Sequence, residues 1–246
     1  MRFIGNLALW LAAGALAGYA FRLLPARWLC DYGETPSAAH APQQRRLPWY
    51  GLAAFALLTA LCTAPVALQS GEVTSPLRAV GVSLCTACFV AALLLAAWCD
   101  IKYMILPDEL LLLCGALALA LWALGGLRFV QGSAWYAPFL GAALGFFVLW
   151  GVLALAARLY KTEAMGFGDV KLAAALGAFC GAKALGVAAL LAVLGAALVL
   201  GGLLLAGRLT RKDTAPFGPF LAFGALAAVG LWPLWGALGA WYFSLF

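Results

Sequence analysis

Apolar residues run through this chain in blocks of about 20, the length a helix needs to cross a membrane. The blocks lie near 3–24, 48–69, 79–99, 107–127, 137–157, 171–183, 184–206 and 217–243. This pattern predicts an all-α, polytopic membrane bundle of about eight transmembrane helices. The sixth block is short, and the pattern does not fix its border with the seventh. The first block has the arginine and apolar run of a signal peptide. It is too long for one, and too many spans follow it, so it is expected to stay as a helix. The chain divides into N-terminal helices at 1–78, with a short polar loop at 25–47, and one integrated bundle at 79–246.

Composition strengthens this reading. The 246 residues are 66% hydrophobic and 10% charged, where a soluble domain carries about 25% charged residues. A soluble fold must present its exterior to water and could not hide so much apolar surface. The lipid bilayer is the natural solvent. The 28 glycines, many within the apolar blocks, suit close approach of membrane helices.

Charge then orients the bundle. Arg22, Arg27, Arg45, Arg46, Lys102, Arg158, Lys161, Lys171, Arg208, Arg211 and Lys212 flank one set of loops. Arg2, Arg78, Arg128 and Lys183 flank the other. The positive-inside rule puts the first set in the cytoplasm. The net charge of +6 therefore reads as a topology signal, and nucleic acid is not expected as a partner. All acids but Glu72 fall on the same cytoplasmic side, which shows where polar chemistry could occur.

The seven cysteines mostly lie inside apolar blocks, where a thiol behaves as a small hydrophobe. Cys85-Thr-Ala-Cys88 has metal-like spacing, but no second pair or nearby histidine completes the four ligands that structural zinc needs. No metal site and no disulfide framework is expected. The single histidine, His40, sits in the polar stretch Pro25–Pro48 and reads as a solvated loop residue.

Two acids stand out. Asp100 ends an apolar block of about 20 residues in Trp98-Cys99-Asp100-Ile-Lys102-Tyr103-Met-Ile-Leu-Pro107-Asp108-Glu109. An acid at helix-centre depth costs roughly 2.5–3.5 kcal/mol on insertion scales, less near the interface, so it is a functional candidate by default. The bland reading is an interfacial acid paired with Lys102 or Arg158. Asp169 lies in Glu163-Ala-Met-Gly166-Phe-Gly168-Asp169-Val-Lys171, at the start of the next apolar block. The helix dipole favours a carboxylate there, and the bland reading is an N-cap. Gly166 and Gly168 permit backbone angles and close approaches that side chains forbid. If the two acids meet, they cannot both ionise easily and share one proton. Such a dyad can activate water and polarise a carbonyl without a metal.

At these residues the chain resembles the type IV prepilin peptidases, membrane aspartic proteases named for a Gly-x-Gly-Asp motif. That motif stands here as Gly166-Phe-Gly168-Asp169. Asp100 followed by Leu106-Pro107-Asp108 matches the family's first aspartate and its Leu/Ile-Pro-Asp element. Pro216-Phe-Gly218-Pro219-Phe220 is a third match, and Gly18-Tyr-Ala-Phe-Arg22-Leu-Leu-Pro25 a weaker one. The resemblance implies a catalytic pair, Asp100 and Asp169, in a catalytic membrane domain at 79–246. It implies that Glu163, Gly166, Gly168 and Lys171 shape the second motif. Pro107, Asp108, Pro216, Gly218 and Pro219 would be supporting residues. The implied substrate is a prepilin or a type II secretion pseudopilin, cut at the cytoplasmic face of the bacterial inner membrane. No cofactor is implied for cleavage. Many members carry a larger loop after the first helix, with two Cys-x-x-Cys pairs, and also methylate the new N-terminus with S-adenosylmethionine. Pro25–Pro48 holds only Cys30, which leaves methylation unsupported. Presenilin-like proteases share the glycine–aspartate theme, but their Tyr-Asp and Pro-Ala-Leu settings are absent.

Two other classes compete. A proton- or cation-coupled transporter also uses membrane acids and broken helices, though here the acids cluster at one face. A non-catalytic assembly subunit would not need both acids.

Overall fold

The computed structural model describes residues 2–29, 49–69, 76–160, 166–208 and 215–243. These residues are mostly helical, with no strand among them. Glu163, His40 and residues 30–48 of the polar stretch Pro25–Pro48 lie outside them.

The helices in chain order are α1 (Arg2–Leu23), α2 (Trp49–Gln69), α3 (Pro76–Tyr103), α4 (Asp108–Ala123) and the four-residue α5 (Arg128–Gln131). α6 (Ala137–Tyr160), α7 (Phe167–Leu205), α8 (Gly218–Gly230) and α9 (Trp232–Phe243) follow. A 3-10 turn, Ala26–Leu29, extends the end of α1. Their Ala- and Leu-rich sequences favour helix. Three of them, α3, the Ala137–Leu155 part of α6, and α7, are long and apolar enough to cross a membrane, and the bent pair α8–α9 makes a fourth if counted as one span. The apolar stretches Asn6–Phe21 and Tyr50–Val66 are shorter. The all-α membrane bundle expected from the pattern is therefore present.

α3 is the central helix. Its most apolar window is 67% buried within the bundle, against 17% for the windows of α6 and α7. Polar groups inside are tied locally. Thr59, Thr63 and Thr86 each donate to the carbonyl four residues earlier, as helical threonines can. Trp10 Nε1 donates to Ser83 Oγ at 2.8 Å and joins α1 to α3. α6 packs on α7 with backbone nearly touching backbone. A Cβ at Gly141 would run into the Gly177 carbonyl, and one at Gly145 into that of Ala173. This is the small-residue packing that lipid-embedded helices use.

Three segments differ from the pattern's reading. The blocks 171–183 and 184–206 form the two limbs of α7, which is broken at Gly181 (φ 68°, ψ 171°). The first limb, 167–180, starts four residues before the sequence block because the Gly-x-Gly-Asp segment itself becomes its first turn. The block 107–127 ends as helix at Ala123, and a turn leads into α5, which the pattern did not predict. The last block, 217–243, is no single helix: α8 and α9 meet at 74°. Pro233 explains the break, since it has no N–H for the carbonyl four residues back and its ring crowds that turn.

Candidate active site

Asp100 lies in the last turn of α3. That helix ends at Met104, whose φ of 57° is left-handed and whose N–H donates to the Asp100 carbonyl at 2.8 Å. The turn sends Ile105, Leu106 and Pro107 across the end of the bundle. Pro107 is extended (φ −62°, ψ 126°), is buried, and starts α4. Asp108 and Glu109 then occupy the first turn of α4, where the dipole favours acids.

The second motif opens α7. Gly166 is the N-cap, so Phe167, Gly168 and Asp169 are the first three helical residues. Asp169 is thus no cap, and no side chain caps this helix. Gly168 has a clear structural reason. A Cβ there would lie 3.1 Å from Leu106 Cβ, so the chain after Asp100 packs directly on the second motif. Gly166 differs from expectation. Its φ is −71° and no described residue crowds it, so neither backbone angle nor crowding among the described residues requires glycine.

The third motif closes over Asp100. The Gly218 N–H, at the start of α8, donates to Asp100 Oδ2 at 2.9 Å. A Cβ on Gly218 would stand 2.7 Å from that oxygen. Pro219 is buried beside it in the first turn. Pro216 is half-buried in the segment leading in. The bond to Gly218 replaces the surface pairing with Lys102 or Arg158 that a bland interfacial acid would show. Lys102 Nζ lies instead 5.5 Å from the Phe21 ring centroid.

Both aspartates are buried, at 6% and 8% exposure. They come from separate helices, and the charge of Asp100 acts on Asp169. Their surroundings differ. Asp100 has its bond from Gly218, while Asp169 Oδ1 is buried without a hydrogen-bond partner among the described residues. A buried polar atom left unmade costs about 1–3 kcal/mol or more, a state that Trp98 Nε1 and Gln131 Oε1 share among the described residues.

Lys171 Nζ meets Asp108 Oδ2 at 2.6 Å. This pair staples α4 to α7 and so joins the two aspartate motifs. It is partly exposed, 38% and 45%, and such pairs contribute at most about 1 kcal/mol. Lys171 also lies 5.4 Å from the Phe167 ring centroid, and that ring meets Phe146 edge-on. Among the described residues no group of three or more His, Cys, Asp or Glu gathers into a metal site.

Of the sequence-derived residues, the structure brings together Asp100, Asp169, Gly168, Gly218 and Pro219, with Pro107 and the Asp108–Lys171 pair around them. Sequence reasoning missed Leu106 as the surface on which Gly168 packs. Its place inside the Leu-Pro-Asp element was the available signal.

Residues 87–206 match the type IV leader peptidase family. The chain is 36% identical over 193 residues to the prepilin leader peptidase/N-methyltransferase of Aeromonas hydrophila, covering 77% of this chain and 60% of that protein. The Burkholderia pseudomallei (strain K96243) protein of that name is 38% identical over 154 residues, 61% of this chain and 47% of that one. The Bacillus subtilis (strain 168) protein is 33% identical over 141 residues, 57% of this chain and 52% of that one. The chain thus spans roughly half of the length of the curated relatives it matches. No solved structure matches it.

Proposed function

We propose, from the match of residues 87–206 to the type IV leader peptidase family, that this chain is an intramembrane aspartic endopeptidase acting on prepilins or type II secretion pseudopilins. The observation that carries the reading is the pair of buried carboxylates, Asp100 and Asp169. They reach one end of the bundle from separate helices, and one of their oxygens has no hydrogen-bond partner among the described residues.

In this reading the two aspartates share one proton. The ionised carboxylate takes a proton from water, and the acid form polarises the scissile carbonyl. Gly218 holds Asp100 in place, and the packing of Leu106 on Gly168 sets the height of the second motif. The Asp108–Lys171 pair ties the two together. The excess of arginine and lysine around the loops at this end supports a cytoplasmic face, in the inner membrane of a bacterium. A substrate with a basic leader before an apolar helix fits that placement, since the leader waits in the cytoplasm and the helix in the bilayer. Cleavage needs no cofactor, and methylation is no part of the proposal.

The test is cleavage of a purified prepilin in detergent or vesicles by the unmodified chain, Asp100→Ala and Asp169→Ala. Cleavage should be lost in both variants and should persist in EDTA. Cleavage at the normal rate by either variant overturns the mechanism. A proton or cation flux in proteoliposomes that requires Asp100, with no cleavage, would favour the transporter reading instead.

A further inference from the structure

The first limb of α7, residues 167–180, carries Asp169 in its first turn and stops at Gly181. A limb of 14 residues is about 21 Å long, and the break at Gly181 separates it from the rest of α7. It is therefore a short rod whose axial height against α3 must be set by its neighbours. At its broken end the last carbonyls lose their helical N–H partners. In an apolar interior such groups must find donors elsewhere.

Gln131 supplies them. Its Nε2 donates to the Ala178 and Phe179 carbonyls, both at 2.8 Å. A Cβ on Gly181 would stand 2.7 Å from Gln131 Cγ, so the left-handed glycine makes room for this side chain. Gln131 ends α5, which reaches the limb at the end opposite the aspartates. Next to this clamp the Phe179 ring stacks on Phe89 of α3, with centroids 4.3 Å apart. Phe89 precedes Asp100 on α3 by about 16 Å of helix, and Phe179 follows Asp169 by about 15 Å. The ring stack and the aspartate pair are thus two matched levels of an antiparallel helix pair.

We infer that Gln131 is a positioning residue for the reaction. By clamping the broken end of the 167–180 limb to α5, it fixes the height at which Asp169 faces Asp100 from about 15 Å away. This inference rests on the peptidase reading for its kinetic consequence, but its geometric content does not.

The test uses Gln131→Met, which keeps the side-chain length and removes both donors. Gln131→Glu is the conservative partner, able to donate one bond in its acid form. At saturating prepilin, Gln131→Met should cleave at least tenfold more slowly with KM within about twofold, and Gln131→Glu should fall between it and the unmodified chain. A second readout needs no activity. Leu106→Cys with Gly168→Cys, in a full-length chain whose seven native cysteines are replaced by alanine, places two thiols where Leu106 Cβ now lies 3.1 Å from the Cβ that Gly168 lacks. Iodine should close this disulfide readily with Gln131 present and several-fold less with Gln131→Met. An unchanged crosslink, or a turnover rate within twofold of normal in folded Gln131→Met, overturns the inference. If the crosslink responds while the unmodified chain cleaves no prepilin, the positioning role stands and the peptidase reading falls.

Discussion

The two ends of the 167–180 limb make opposite use of polar groups. At the Gly181 end, two carbonyls that the break leaves without helical partners are taken up by Gln131. At the Gly166 end, no side chain caps the helix, and Asp169 keeps a buried oxygen without a partner among the described residues. Both ends sit in apolar surroundings, where an unmade hydrogen bond is costly. The difference shows what each end is for. At the Gly181 end the two bonds hold the limb in place, and Gln131 Oε1 is itself buried without a hydrogen-bond partner among the described residues. At the Gly166 end the lone acceptor belongs to a carboxylate, which can take up a proton as an amide oxygen cannot.

The most direct way to break this comparison is to neutralise the carboxylate end. Asp169→Asn and Asp100→Asn should each lower prepilin turnover by at least ~10³-fold, since positioned proton transfer contributes about 10²–10⁴. Thermal unfolding in detergent should change little. An asparagine variant that unfolds but retains turnover when folded would make the carboxylate a structural group.

Gly218→Ala asks whether Asp100 must stay where the α8 backbone holds it. The new methyl would sit 2.7 Å from Oδ2, so the carboxylate or α8 must move. A displacement of about 1 Å can cost ~10²-fold, and turnover should fall by tenfold to a hundredfold. Kinetics at saturating substrate would check it.

Gly168→Ala presses a methyl onto Leu106. Overpacking of this kind costs about 1–3 kcal/mol, which should appear as a lower unfolding temperature. Leu106→Ala in the same chain should restore part of the loss. Gly166→Ala, with an ordinary φ and no described residue crowding it, should leave stability within ~0.5 kcal/mol, which separates the two glycines of the motif.

The smallest effect belongs to the staple. Lys171→Met or Asp108→Asn should cost no more than about 1 kcal/mol, and the loss should shrink as salt rises. Chemical denaturation at low and high salt measures it. A much larger loss would mean that the pair does more than join α4 to α7.

Several of these features were legible along the chain because they depend on local order. Blocks of about 20 apolar residues report membrane helices whatever their neighbours, since lipid asks only for length and apolarity. Asp100 and Asp169 drew notice because an acid at the end of such a block is costly. The break near 183 was visible as a short block, although its position at Gly181 was not. Pro233 could have warned of the bend after α8, but an apolar run hides a proline break when read by hydropathy alone.

What the sequence determined by itself was therefore the solvent, the helices and the identity of two unusual acids. Which groups meet was decided by the tertiary structure. Gly218 bonds Asp100 from 118 residues away, and Gln131 bonds Ala178 and Phe179 from 47 and 48. Gln131 followed by Gly132 and Ser133 reads as loop chemistry, because nothing local shows that a helix will break against it. The same holds for the two glycines before Asp169. They look alike in sequence, yet only Gly168 has Leu106 packed on it. Hydropathy and helix propensity act through near neighbours, whereas hydrogen-bond satisfaction and close packing depend on whatever the folded chain brings alongside.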